Sequence, residues 1–506
     1  MSIYSRDRAI SGAFHYLGGR AIGGISSFLT ILLLVRYMST RDYASYTAIS
    51  GLIMLGVSVS GLGLERAISR YVPEGVIGKK HIEVISFIHK VILYSAIAAV
   101  AFALMMVILW QQISAVFDFG FLGYISLTAV VFAIVGSSVF QIQSSVLQSL
   151  MQQKLLSKVL VVQWGSRLLM TIFLVATNSD ISLSQAVLVL AIPEVLSALF
   201  AQWAIAHEAQ SKNIRSDAQA TTDWPDRKGV VEVAGFNYAF NLLAAPPQGP
   251  IMRLLIASVC PPPFVAAYGF FQSMAEKARQ YLPTQLLYML IEPLLIAKYM
   301  ERGNVRELQS RTSFLYLMNL LLLFPLLAVA VGCGKPLADI LTSGRYAEYW
   351  WLLIPVMIQL ALSSQIVLQK IVITATDATS RLIPAATIGV AIFGAGLGLV
   401  LFIGEFEALP YVPLLYFVSV IGYLSRYLGR SDCNVSLKPA IWMKLFLISA
   451  FAASASYALS MLGENNYVVT AAATGASVLV FALGIVLSGL IRPQDLGQLR
   501  SKNKSK

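Results

Sequence analysis

Apolar stretches of about 20 residues recur along almost the whole chain, and each is long enough to cross the roughly 30 Å hydrocarbon layer of a bilayer as a helix. They lie near 12–36, 43–66, 84–111, 120–148, 156–177, 183–206, 231–258, 265–297, 312–333, 349–375, 382–404, 408–427, 440–462 and 467–491. The reading is an all-α integral membrane protein of about fourteen transmembrane helices. Composition agrees: only 12% of the 506 residues are charged, against roughly 25% in soluble domains, too few to cover a water-exposed globule. The first run follows Arg6 and Arg8 at full span length, with no small-residue cleavage site, so it is expected to stay as a span.

The formal charge of +12 would suggest nucleic acid in a soluble protein, but its distribution assigns it to topology. With the N-terminus inside, 28 of the 37 Lys and Arg fall in cytoplasmic segments and four (Arg36, Arg41, Lys335 and Arg345) fall outside. The other five lie at membrane depth. Both termini are therefore expected in the cytoplasm and the protein in the cell (inner) membrane, with no nucleic acid partner. The basic tail of Lys502, Lys504 and Lys506 is expected to face anionic membrane lipids. Cys260, Cys333 and Cys433 form no CxxC or Cys/His cluster, so neither a metal site nor a disulfide framework is expected. No Walker-type phosphate loop occurs, which argues against direct ATP use, and no cofactor is expected.

Segment 207–229 is the longest polar stretch between spans and reads as a cytoplasmic linker. It separates an N-lobe, 1–206, from a C-lobe, 230–430, with two further spans and the tail in 431–506. Phe14/Phe236, Tyr16/Tyr238, Leu32/Leu254, Leu33/Leu255, Ala44/Ala266 and Tyr46/Tyr268 share one offset. These identities suggest two six-helix lobes in parallel repeat around a central cavity, one of the transporter plans.

Charges at membrane depth cost about 2.5–3.5 kcal/mol each on insertion scales, so they face protein or a wet cavity. Arg20 sits in the first span among Gly18, Gly19, Gly23 and Gly24, and Arg167 near the middle of the fifth beside Trp164. Neither has an acidic neighbour at helical spacing, which makes them the leading ligand-binding candidates. Lys277, Arg279, Arg253 and Arg66 complete the basic set. Arg66 and Glu65 lie close to the cytoplasmic end, where snorkelling to the interface is the favoured reading, and Arg253 can equally reach the outer interface. Glu276 and Arg279, three residues apart, can equally pair with each other. Glu65, Glu194 and Glu276 are candidate ion-coupling carboxylates; Glu232 and Glu292 are further acidic positions. The excess of deep cations suits a polyanionic ligand, because arginine forks match phosphate oxygens bidentately. In the seventh run, Pro246, Pro247, Gly249 and Pro250 cannot continue a regular helix, so a break or hinge is expected, serving either packing or a cavity.

The stretch Leu33-Leu34-Val35-Arg36-Tyr37-Met38-Ser39-Thr40-Arg41-Asp42-Tyr43-Ala44-Ser45-Tyr46 resembles a pattern of the polysaccharide-exporter branch of the multidrug/oligosaccharidyl-lipid/polysaccharide (MOP) flippase superfamily. Met38 stands where that pattern has Leu, and Ala44 where it has Gly. Arg70-Tyr71-Val72-Pro73-Glu74, Val265 to Tyr268, Pro283, Pro293 and Gly303-Asn304 are similar to further family positions. The resemblance covers the first twelve spans. It implies a flippase, not an enzyme, that moves a polyprenyl-pyrophosphate-linked oligosaccharide across the cytoplasmic membrane by alternating access, for O-antigen, capsule or exopolysaccharide synthesis. Implied partners are that glycolipid and a glycan polymerase or glycosyltransferases of the same pathway. The implied pyrophosphate-binding role matches Arg20 by position, and reaches Arg167, Lys277 and Arg279 by sign and depth alone. Alternatives are a cation-coupled multidrug or organic-cation antiporter of the same fold, and a membrane glycan polymerase or ligase. The largest outer loop, around 332–348, offers only Lys335, Asp339 and Arg345 as a catalytic set.

Overall fold

A computed structural model describes residues 6–78, 80–117, 124–211, 224–286, 295, 299, 304–376, 378–429, 435, 437–463 and 467–490. Among these the chain is helical, and thirteen helical segments are long and apolar enough to cross a membrane. They correspond one for one to the expected runs except 265–297, of which 287–294 lie outside the described residues. The protein is a multi-pass α-helical membrane protein. Contacts divide it into two compact units, Met1–Phe270 and Phe271–Lys506.

The first unit contains α1 (Arg6–Tyr37), α2 (Thr40–Ser60), α3 (Leu64–Ile77), α4 (His81–Ile108), α5 (Trp110–Phe117), α6 (Tyr124–Ser149), α7 (Gln153–Thr177), α8 (Leu183–Ser211), α9 (Arg227–Ala244), α10 (Gly249–Val259) and the start of α11 (Pro262–Arg279). Helix α2 starts where the Ser39 hydroxyl accepts from the Asp42 amide at 3.1 Å, occupying an otherwise unpaired N-terminal donor. Asp226 caps α9 by accepting from the Lys228 and Gly229 amides at 3.3 and 3.4 Å.

Two features depart from a simple reading of the apolar runs. The run expected over 43–66 ends at Ser60, because Leu62 (φ 48°) and Gly63 (φ 68°) turn the backbone left-handed and start a separate helix, α3. Ala67, Ile68, Tyr71 and Val72 give α3 one buried face, packed on a core that includes Val84 and Phe87 of α4, Val146 of α6, Leu156 of α7 and Ala201 of α8. In the seventh run α9 stops at Ala244 and α10 begins at Gly249, with Pro250 in its first turn, where its missing N–H costs nothing. Gln248 donates from its amide to the Ala244 carbonyl at 3.1 Å, so the break itself satisfies one of the orphaned helix-end acceptors. Pro246 and Pro247 lie between the two helices, and Gly249 and Pro250 open α10.

The second unit contains the rest of α11, α12 (Pro283–Leu286), α13 (Val305–Thr342), α14 (Leu353–Ala375), α15 (Leu382–Ile403), α16 (Val412–Gly429), α17 (Pro439–Ser460) and α18 (Tyr467–Leu487). Helix α11 ends at Arg279 rather than running to 297, and α12 is held by Asn319 of α13, whose carboxamide accepts from the Thr284 amide at 3.0 Å. Helix α13 continues past the expected end at 333 through a kink at Cys333. The last two spans are anchored on it: Val329 and Cys333 pack with Ala473, and Trp442 lies 6.1 Å from the rings of both Tyr316 and Phe324. They also carry exposed Phe451, Leu479 and Leu483, as helices turned toward lipid must.

Candidate functional site

Helices α1 and α7 lie against each other because glycine removes side chains from the seam. A Cβ at Gly19 would collide with Ser157, and one at Gly23 would stand 3.1 Å from the Trp164 ring. That register puts Arg20 level with the first turns of α7, whereas Arg167 lies ten residues beyond Ser157, about 15 Å along the helix. Arg20 is half-buried. The two leading candidates therefore lie along one helix pair at different depths.

Arg167 is buried and paired across helices. Its Nη2 donates to Glu194 Oε1 of α8 at 2.6 Å and to the Leu190 carbonyl at 3.5 Å. Gln163, one turn earlier on α7, donates to the other carboxylate oxygen of Glu194 at 2.9 Å. The guanidinium also stands 4.6 Å from the centroid of Trp164. Among the described residues its Nε has no hydrogen-bond partner. Sequence spacing suggested a cation with no acidic neighbour, whereas folding brings Glu194 to it from 27 positions away. Glu194, a candidate coupling carboxylate, is thus committed to an arginine.

Arg253 of α10 is also buried and donates from Nη1 to the Ser50 hydroxyl of α2 at 3.2 Å. One turn before Ser50, Tyr46 lies within electrostatic reach of both Arg167 and Arg253. Helix α2 thus carries Ser50, which accepts from Arg253, and Tyr46 one turn before it. Among the described residues this region of the first unit brings two guanidinium groups and the Glu194 carboxylate together with an indole, a phenol, a hydroxyl and a carboxamide. In a low-dielectric setting such a set attracts an anion and offers it forked donors. Tyr46, Ser50, Gln163 and Trp164 were not expected as site residues; the signal was the helical spacing of Tyr46 and Ser50 on an otherwise apolar face.

The remaining candidates lie elsewhere. Glu65 accepts a hydrogen bond of 2.5 Å from the Gln141 amide at the start of α3, and Arg66 projects from the exposed face of that helix. Glu276, Lys277 and Arg279 are half-buried in the last turn of α11 in the second unit, where Glu276 acts electrostatically on Arg279. Glu232 is exposed on α9, and Glu292 lies outside the described residues. Among the described residues no group of three or more His, Cys, Asp or Glu could hold a metal.

No family model and no curated protein matches the sequence. Solved structures do match. A lipid II flippase, MurJ, in an inward closed conformation superposes with a TM-score of 0.66 over 96% of this chain and 100% of its own, at 13% identity. An inward-facing multidrug resistance MATE family transporter of the MOP superfamily gives 0.60 over 83% and 98%, at 10% identity. A MOP superfamily transporter from Pyrococcus furiosus gives 0.52 over 84% and 95%, at 11% identity. The chain has the fold of the MOP superfamily flippases and transporters.

Proposed function

We propose that the protein is a flippase that moves a polyprenyl-pyrophosphate-linked oligosaccharide across the cytoplasmic membrane by alternating access. The observation that carries this reading is a pair of buried arginines in the first unit, Arg167 held by Glu194 and Arg253 donating to Ser50. A pyrophosphate is a compact polyanion whose oxygens take forked guanidinium donors, and the excess of cation over carboxylate favours it over an organic cation. The fold shared with a protein named as a lipid II flippase supports the same class of cargo. Arg20 and Arg66 are assigned to earlier contacts with the headgroup, and Lys277 and Arg279 are carried as further candidate contacts by their sign alone. Lobes at 1–206 and 230–430, cytoplasmic termini and residence in the inner membrane complete the proposal. Glu65 and Glu276 are proposed as ion-coupling carboxylates, with Glu194 coupled only through its arginine.

The test is a deletion strain. Loss of surface glycan, with the undelivered lipid-linked oligosaccharide accumulating on the inner leaflet, is the expected result. Normal export would refute the proposal. A second reading, a cation-coupled drug antiporter, is favoured by the shared fold of the MATE transporter and by the acidic Glu194. It predicts drug hypersensitivity in the same strain with the glycan intact.

A further inference from the structure

A cavity of about 370 Å³ opens between the N-terminal end of α2, the end of α5, and the junction of α10 with α11. All of it belongs to the first unit, and none of its lining residues belongs to the Arg167–Arg253 cluster. Its volume is within the range of small-ligand sites. The shape follows from small and rigid residues. Ala44, Ser45 and Ala48 form a buried floor on α2, one turn after Arg41, while Pro261 and Pro262 stiffen the rim opposite.

The lining has a definite chemical character. Arg41 is the one ionised side chain among the lining residues, Ser45 and Ser258 add hydroxyls, and Val116, Phe117 and Val265 supply apolar wall. A cation and hydroxyls beside an open apolar wall match a molecule that is anionic at one end and hydrocarbon at the other. The charge pattern of the whole chain adds a second argument. Arg41 is one of only four Lys or Arg residues expected in outer segments, where cations are disfavoured.

We propose that this cavity is a binding site for the headgroup of a membrane phospholipid of net negative charge, with Arg41 holding the phosphate and the α5–α11 wall taking the first part of the tail. The site is independent of the glycolipid reading, because it needs no contact with Arg167 or Arg253.

Cys260 lines the cavity and is half-buried, so it reports occupancy directly. Burial pushes its thiol up to about 12, which makes an organomercurial a better probe than a reagent that needs the thiolate. The full-length protein in micelles is treated with the mercurial, and modification is read at the Cys260 peptide by mass spectrometry. Separate arms contain phosphatidylglycerol, phosphatidylcholine or inorganic phosphate. Phosphatidylglycerol is expected to slow modification, and Arg41→Gln to raise the concentration needed by about tenfold or more, the equivalent of one charge-assisted hydrogen bond. Arg36→Gln, outside the lining, should leave protection unchanged and controls for general loss of charge. Ser45→Leu should abolish protection by filling the floor. Equal protection by both lipids, protection by inorganic phosphate alone, or no protection by phosphatidylglycerol would each overturn the assignment.

Discussion

Arg167 and Glu194 illustrate how a buried pair restricts which experiments are informative. Removing one partner strands the other charge, which costs about 3–5 kcal/mol in measured buried pairs. Arg167→Gln and Glu194→Gln should therefore each lower the unfolding temperature of the purified protein, and the double variant should recover much of the loss. Glycan export should stay abolished in the double variant, since the anion-binding guanidinium is gone. Arg253→Gln removes the second buried guanidinium, which donates to the Ser50 hydroxyl, and leaves the Arg167–Glu194 pair in place. Export should fall at least about tenfold, the effect of one lost charge-assisted contact, while thermal unfolding of the protein changes little. Both arginines were legible as charges out of place in apolar runs. Their partners were not: Glu194 comes from another helix, and hydroxyls such as Tyr46 and Ser50 are common within spans.

Helices were read well where the apolar run and the backbone agree, and less well where single residues redirect the chain. The α2–α3 turn depends on Gly63, whose φ of 68° is left-handed and whose Cα faces the Ala234 carbonyl of α9 closely enough that a Cβ would collide. Gly63→Val should loosen α3 from α9, seen as faster amide hydrogen exchange across Leu64–Ile77. The reason α3 escaped the sequence reading is physical: its buried face packs on protein rather than lipid, so it is short and amphipathic rather than continuously apolar. The end of α11 at Arg279 was missed although Pro283 is legible in the sequence, while the Asn319 contact that holds α12 forms only once α13 is in place. The α9–α10 break, by contrast, is written into consecutive prolines. Straightening it with Pro246→Ala and Pro247→Ala should leave the protein in the membrane but slow export, if the break serves the transport cycle. Unchanged export would assign it to packing alone.

For the whole molecule, the lipid solvent fixes most of the outcome. A chain with so few charges has to satisfy its backbone internally, and helices are the one open-ended way to do so. Span positions were therefore the most legible feature, and the alternation of basic segments gives the topology a direct check. Single cysteines introduced at Lys335 and at Arg227 should be labelled by an impermeant reagent from outside and inside respectively; the reverse pattern would invert the proposed orientation. What the cargo is depends on a handful of residues brought together only by folding. The measurement that tests this most directly is flipping of a short polyprenyl-pyrophosphate oligosaccharide in proteoliposomes containing the full-length protein. Wild type should move the glycolipid between leaflets and Arg253→Gln should not, with both reconstituted to equal amounts. Equal rates for the two proteins, or no movement by wild type above empty liposomes, would contradict the account.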